Sequence, residues 1–306
     1  MGKSLHKIIP KIDEIDYKIL GVLVKNLRRF EYIPLEVIIE ESGIPRDTLA
    51  SILMKLAELK VIIPSSSQNP LSYKLTFTGL NLYSLKKLAE RDIIKAIGVP
   101  IGVGKESVVY IAKNYKDDLV AIKFYRIGWS SFREFSRRRG YGLDLGGSTW
   151  LLRSIVAAER EYSIMKKLIN IIPDKIPQIF ARELNAIVME YIDGKELHKV
   201  LGLKNPLKIF SDIIDVIREV YLKLGIIHAD LSPYNILVKD PGTEHERSFI
   251  FDWPQWVDIK EASAEKILLR DLRNIVRFFE KRFNLEINLE KIYKYVVGGA
   301  ETLDYR

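Results

Sequence analysis

The sequence predicts an α+β chain in two parts: a winged helix-turn-helix domain over residues 1–80, then a bilobal domain with a β-rich N-lobe and a helical C-lobe. Three observations carry this prediction. Helical apolar periodicity leads into a short hairpin in the first part, a glycine turn sits between β-branched runs near residue 103, and long amphipathic helices fill most of the remainder.

In the first part, Ile15, Ile19, Leu20, Leu23 and Leu27 recur at helical spacing. A second apolar run, Leu35 to Ile39, follows Pro34 and stops at Gly43. Pro45 then stands where a first-turn proline is tolerated, and Leu49, Ile52, Leu53, Leu56 and Leu59 mark a third helix over residues 45–60. Val61-Ile62-Ile63, a polar turn from Pro64 to Pro70, and Tyr73 to Phe77 read as a hairpin. This element order is that of a winged helix. Its third helix carries Arg46, Lys55 and Lys60 against Asp47 and Glu58, and the wing adds only Lys74. So balanced a surface argues against sequence-specific DNA binding and suits a docking module. Leu80 to Ile97 is expected to continue as a linking helix, placing a linker at 81–98 and the second domain at 99–306.

Composition narrows the class. A chain of 306 residues, 47% hydrophobic and 29% charged, can bury two cores. No stretch reaches the ~20 apolar residues of a membrane span; Ile213 to Ile227 is broken by Asp215, Arg218, Glu219 and Lys223. Met1 to Lys11 lacks the apolar run of a secretory leader, and the absence of cysteine excludes disulfides, thiolate metal sites and cysteine nucleophiles. A cytoplasmic protein with no membrane partner is expected. The formal charge of +8 is compatible with an anionic partner such as RNA but does not establish one.

Phosphate chemistry begins at Ile101-Gly102-Val103-Gly104-Lys105-Glu106-Ser107, flanked by β-branched residues and followed by Val120-Ala121-Ile122-Lys123. Strand, glycine turn, strand, then a strand bearing lysine is not the strand-turn-helix of a Walker loop. Small residues at Gly102 and Gly104 let backbone amides approach phosphates, and the Lys123 ammonium can reach their oxygens. Ser148 to Ile169 predicts a long helix on which Glu161, with Glu159 as competitor, can hold Lys123 extended. Ala186 to Tyr191 reads as a buried strand leaving into a linker, Ile192-Asp193-Gly194, suited to the edge of an adenine.

The most specific pattern follows a helix opened by Asn205-Pro206 and ended by Gly225. His228-Ala229-Asp230-Leu231-Ser232-Pro233-Tyr234-Asn235 places a carboxylate and an amide in one short loop, and Phe249-Ile250-Phe251-Asp252 ends a strand in a second carboxylate. Two carboxylates and an amide at such ends can orient a nucleophile and bind Mg²⁺.

These residues resemble the RIO family of atypical serine/threonine protein kinases, and the winged helix in front resembles the subfamily that carries one, including its archaeal type. The resemblance spans nearly the whole chain, including Leu268 to Phe279 as the family's C-terminal helix. It implies a protein-kinase-like fold with an N-lobe of about 99–192 and a C-lobe of about 193–306, using ATP with Mg²⁺ or Mn²⁺. It further implies that Lys123 contacts phosphates and pairs with Glu161, and that Ser107 joins Gly102 and Gly104 in the nucleotide loop. Glu190 and Ile192 would present hinge backbone to adenine, Asp230 would be the catalytic aspartate, and Asn235 and Asp252 would ligate metal.

Two residues depart from the family pattern. Ala229 replaces a glycine, which keeps the loop if its φ is negative, and Trp253 replaces a phenylalanine. Neither removes a reactive group. The basic segment Tyr125 to Gly147, with Arg126, Arg133 and Arg137 to Arg139, resembles the family's mobile loop; a solvated insert and a contact for rRNA or triphosphate both fit it.

Pro254 is the last proline, so no Ala-Pro-Glu segment can close an activation loop. The resemblance implies instead an ATPase switch on the pre-small ribosomal subunit and its rRNA, with Asp252 accepting the phosphoryl group and serine/threonine autophosphorylation as a lesser activity. Two other classes stay open from sequence: an aminoglycoside-type small-molecule phosphotransferase, and a nucleotide-sensing regulator or scaffold that binds nucleic acid.

Overall fold

After a one-turn helix α1 (Leu5–Ile8), Asp13 caps helix α2 (Glu14–Lys25): its side chain accepts from the Asp16 amide while the Asp16 carboxylate accepts from the Asp13 amide. This computed structural model describes residues 5–66, 71–128 and 150–305. β1 (Ile33–Pro34) leads into α3 (Leu35–Ser42), which Gly43 ends at φ +63°. Pro45 is the N-cap residue of α4 (Arg46–Glu58), one position earlier than a first-turn proline. β2 (Ile62–Pro64) and β3 (Ser72–Leu75) pair antiparallel as expected, and β1 adds a third strand beside β3 that its two residues do not announce.

The expected helix Leu80 to Ile97 is corrected at both ends. α5 runs Phe77–Glu90, capped by the Thr76 side chain on the Gly79 amide. It stops where Asp92 turns left-handed at φ +55° and the Ile93 amide reaches back to Leu88 O. Ala96 already lies in β4 (Ala96–Val103), followed by β5 (Ser107–Lys113) and β6 (Leu119–Tyr125). α6 (Trp150–Leu168) is the predicted long helix; Arg133 and Arg137 to Arg139 of the basic segment lie outside the described residues. β7 (Ile179–Glu183) and β8 (Ala186–Glu190) complete a five-stranded sheet of order β4-β5-β6-β8-β7.

The chain divides into two units, the first running to Arg160 and taking in Phe180–Met189. In this unit the winged helix and the sheet share one core, from Leu20 and Leu53 through Leu80 and Leu88 to Ile122, Phe124 and Val188. Buried Asn185, in the β7–β8 turn, ties them with polar bonds. Its amide donates to Tyr125 O and Asn81 Oδ1, both at 2.8 Å, and accepts from Ser84 Oγ at 3.1 Å. A buried amide with each valence met is rigid, because losing any partner leaves a desolvated polar group.

The second unit comprises Glu161–Ile179 and Glu190–Arg306. β9 (Gly194–Glu196), a two-residue β10 (Ile226–Ile227), β11 (Ile236–Lys239), β12 (Arg247–Ile250) and β13 (Val257–Asp258) form two small sheets, of order β12-β11-β9 and β10-β13. α7 (Pro206–Leu224) has its Asn205 cap and its Gly225 stop at φ +66°, as its sequence predicts. α8 (Ala264–Phe283) and α9 (Leu289–Val296) close the core, where Phe210 and Phe279 meet edge to face at 5.3 Å. Among the described residues no helix is long and apolar enough to cross a membrane.

Candidate active site

The sequence-predicted residues fall on both units. In the first, Gly102 and Gly104 lie at the β4–β5 turn, where the Gly104 amide donates to Ser107 O at 2.9 Å. Neither glycine has a positive φ, and a Cβ at either would meet only ordinary contacts, the nearest 3.8 Å and 3.6 Å away. The protein's own backbone therefore does not require glycine at these positions. Lys123 is buried on β6, its Nζ 4.7 Å from the ring centroid of Tyr125.

In the second unit the short loop and the strand end meet. The Asn235 side chain donates to Asp230 O at 2.7 Å, and Asn235 O accepts from the Phe251 amide at 3.1 Å. Asn235 thus binds the Asp230 loop with its side chain and the Asp252 strand with its backbone. With Nδ2 engaged, Oδ1 is the atom available to a cation. Among the described residues no cluster of three or more His, Asp or Glu could hold a metal, and Mg²⁺ needs none, since one or two oxygen side chains plus substrate phosphates suffice. The oxygen donors of Asn235 and Asp252 fit that ion. Asp252 sits at φ +69°, which aspartate tolerates better than most residues.

His228 connects both segments. Its Nδ1 accepts from the Asp230 amide at 3.3 Å and its Nε2 lies 3.1 Å from Phe251 O. Its ring packs on Trp253 at 4.5 Å. Trp253 is buried, so the departure from phenylalanine is a core anchor whose indole N–H reaches Ile250 O. The Trp253 amide donates to Glu161 Oε1 at 2.9 Å. Glu161 is buried, whereas Glu159 is half-exposed and pairs with Arg182.

Ala229 corrects the sequence expectation. Its φ is +66°, not negative, so the alanine occupies a conformation that costs an L-residue about 1–2 kcal/mol. The loop holds this shape through contacts from α8 that sequence reading missed. The Arg270 guanidinium donates to Ala229 O and to Asp271 Oδ1, and Asn274 Nδ2 donates to Leu231 O at 3.1 Å. A signal was present: Asp271 interrupts the apolar face of Leu268, Leu272, Ile275 and Phe279, and lies buried there.

Electrostatics single out the same loop. Desolvation raises the Asp230 carboxyl above its usual value; Asp252 and Asp271 add to this while His228 and Arg270 oppose it. Burial likewise raises Asp271, against His228, Arg270 and the Leu231 amide. Lost solvation and two neighbouring acids both disfavour the charged carboxylate, which is the physical reason for the raised value of Asp230.

Where the sequence leads one to expect adenine contacts, the Glu190 amide is bound to Gln178 O at 2.8 Å and its carboxylate to the Gln178 amide at 3.1 Å. The role open to Glu190 is that of a carbonyl acceptor. Ile192 is buried beside it. On the winged helix, Arg46 is paired with Glu36, Lys55 with Asp13 and Asp16, and Lys74 with Glu31.

Known proteins resemble this chain over most of its length. Residues 108–292 match the RIO domain and residues 9–91 match the Rio2 N-terminal domain. The RIO-type serine/threonine-protein kinase Rio2 of Methanocaldococcus jannaschii is 30% identical over 88% of this chain and 99% of its own length. Serine/threonine-protein kinase rio2 of Dictyostelium discoideum is 30% identical over 91% of this chain, which spans only 52% of that longer protein. The crystal structure of the Rio2 kinase-ADP/Mg2+-phosphoaspartate complex from Chaetomium thermophilum superposes with a TM-score of 0.81 at 26% identity, covering 97% of this chain and 90% of that one. Of the readings that the sequence left open, the match selects the kinase: the chain belongs to the RIO family of serine/threonine-protein kinases, in the branch that carries the Rio2 N-terminal domain.

Proposed function

We propose that this chain binds Mg-ATP and transfers its γ-phosphoryl group to Asp252, with Lys123, Asp230, Asn235 and Asp252 converging on one triphosphate. The observation that carries it is the double attachment of Asn235, to Asp230 through its side chain and to the Asp252 strand through its backbone. Gly102, Gly104 and Ser107 approach the phosphates, Lys123 neutralises them and is held by Glu161, and the carbonyl of Glu190 with the backbone of Ile192 meets the adenine edge. Asn235 and Asp252 would hold Mg²⁺ through their side-chain oxygens, and the ion would supply charge neutralisation for the phosphates.

An Asp252 oxygen attacks the γ-phosphorus, the bond to the β–γ bridging oxygen breaks, and ADP leaves. Asp230, with its raised carboxyl, takes a proton from water; that water attacks the phosphorus, the Asp252–phosphorus bond breaks, and inorganic phosphate is released. The phosphoaspartate held by the Chaetomium relative supports this route. Ser/Thr autophosphorylation is the lesser activity.

The cycle serves as a nucleotide-driven switch on the pre-small ribosomal subunit and its rRNA, in the cytoplasm. Support comes from family membership and from a winged helix whose Arg46, Lys55 and Lys74 are engaged with its own carboxylates, as suits a docking module more than a DNA reader. The test is Mg-ATP turnover with and without immature small subunits. Stimulation by the particle supports the switch; label passing efficiently to added peptides instead contradicts it.

A further inference from the structure

α8 bears Lys266, Arg270, Arg273, Arg277 and Lys281, spaced four, three, four and four residues apart. At 100° per residue these fall within about 80° of the helix circumference and extend about 22 Å along its axis. Lys266, Arg273, Arg277 and Lys281 are exposed, and none forms an ion pair among the described residues. Arg270 alone is turned inward, to Ala229 O and Asp271. Glu280 flanks the stripe and also pairs with nothing among the described residues. Cations three and four residues apart repel one another and weaken their helix, and one flanking glutamate against four exposed cations leaves a net positive stripe that suits an anionic ligand.

The opposite face of α8 restricts what that ligand is. Leu268, Leu272, Ile275 and Phe279 are buried in the core, so the helix has no apolar face to sink into a lipid surface. Double-helical nucleic acid carries a negative charge about every 1.7 Å, matching a continuous cationic line better than an isolated anion does. A protein entering a B-form major groove would use the third winged-helix element, α4, whose Arg46 and Lys55 are engaged with carboxylates. A helix seated along its length on its own core instead suits backbone contacts across the shallow groove of A-form RNA.

We propose that the exposed face of α8 docks the phosphate backbone of an RNA. The choice of RNA rests on the reading above of an RNA-bearing particle as partner. The stripe begins beside the Asp230 loop, which Arg270 and Asn274 hold by Ala229 O and Leu231 O, so RNA seated there lies next to the residues that set the loop's shape.

The test measures binding of an RNA hairpin by fluorescence anisotropy over a salt series. The full chain is compared with the variant Lys266→Gln/Arg273→Gln/Arg277→Gln/Lys281→Gln, which leaves Arg270 in place. Each lost phosphate contact removes just under one unit of slope, so the plot of log affinity against log salt should flatten by about three to four units. Equal slopes for the two proteins overturn the surface. A DNA hairpin of the same sequence, or phosphatidylserine vesicles, binding the stripe as well as the RNA does overturns the RNA assignment. Two half-variants, Lys266→Gln/Arg273→Gln and Arg277→Gln/Lys281→Gln, guard against misfolding and should each show about half of that flattening. Mg-ADP binding is measured in parallel and should be the same in all four proteins. Its absence even in the unaltered chain contradicts the phosphoryl-transfer reading, while the salt slopes still decide the stripe.

Discussion

Glu161 Oε1 accepts a 2.9 Å hydrogen bond from the backbone amide of Trp253, the residue directly after Asp252. A carboxylate on a long helix thereby fixes the chain position of the residue next to Asp252, the proposed phosphoryl acceptor. Glu159, two residues earlier, points to a different partner, Arg182. Of the two, Glu161 is the buried one.

Glu161→Ala should lower Mg-ATP turnover by about 100-fold, the scale of loss expected when a catalytic group shifts by about an ångström. Glu161→Gln keeps an oxygen for the Trp253 amide but loses the charge, so its thermal stability should exceed that of Glu161→Ala while turnover stays depressed. Glu159→Gln should change stability by no more than about 0.5 kcal/mol and leave turnover intact. A larger turnover defect in Glu159→Gln than in Glu161→Gln would show the assignment to be wrong.

Ala229 stores backbone strain at φ +66°. Glycine adopts that conformation freely but loses more entropy on folding, so Ala229→Gly should gain up to about 1 kcal/mol in denaturant unfolding of the C-lobe. Ala229→Val should lose at least about 1 kcal/mol, since a β-branched residue fits the left-handed region worse. If Ala229→Gly is clearly the less stable of the two replacements, the loop does not have this geometry.

The acid groups give a pH signature. Asp230 must be ionised to take a proton, and desolvation raises its carboxyl, so the acid limb of turnover should lie above the ordinary value of 3.8. Asp271 contributes to that raising, and Asp271→Asn should move the limb toward lower pH. For stability the sign follows from the raised folded-state value of Asp271. Its contribution is full below the unfolded value and is lost as pH rises through the folded one. Denaturant midpoints should therefore show Asp271→Asn gaining on the unaltered protein as pH rises from about 4 to 7. A difference that is flat across that range contradicts a raised Asp271.

Much of this architecture is legible in the chain itself, because local physics dictates it. α2 has its Asp13 capping box, α7 its Asn205 cap and Gly225 stop, and the three strands of the glycine-turn segment have their β-branched runs. Long-range features are less visible. α5 ends on a left-handed Asp92, a position where glycine would have been a plain signal, so periodicity carried the expected helix seven residues too far to Ile97. β1 has too few residues to show an alternating pattern and exists only because β3 lies beside it. At the site, the spacing of Asp230, Asn235 and Asp252 marks them as candidates, whereas the grip of Arg270 and Asn274 on the loop depends on contacts some forty residues apart in sequence.

The most direct test of the account is where phosphate resides on the protein during turnover. After brief incubation with Mg-ATP labelled in the γ-phosphoryl group, the chain should carry label that is discharged by hydroxylamine at neutral pH, as an acyl phosphate is. Peptide mapping should place that label on Asp252, and Asp252→Asn should carry none of it. Label confined to serine or threonine, or hydroxylamine-sensitive label that persists in Asp252→Asn, would contradict Asp252 as the phosphoryl acceptor.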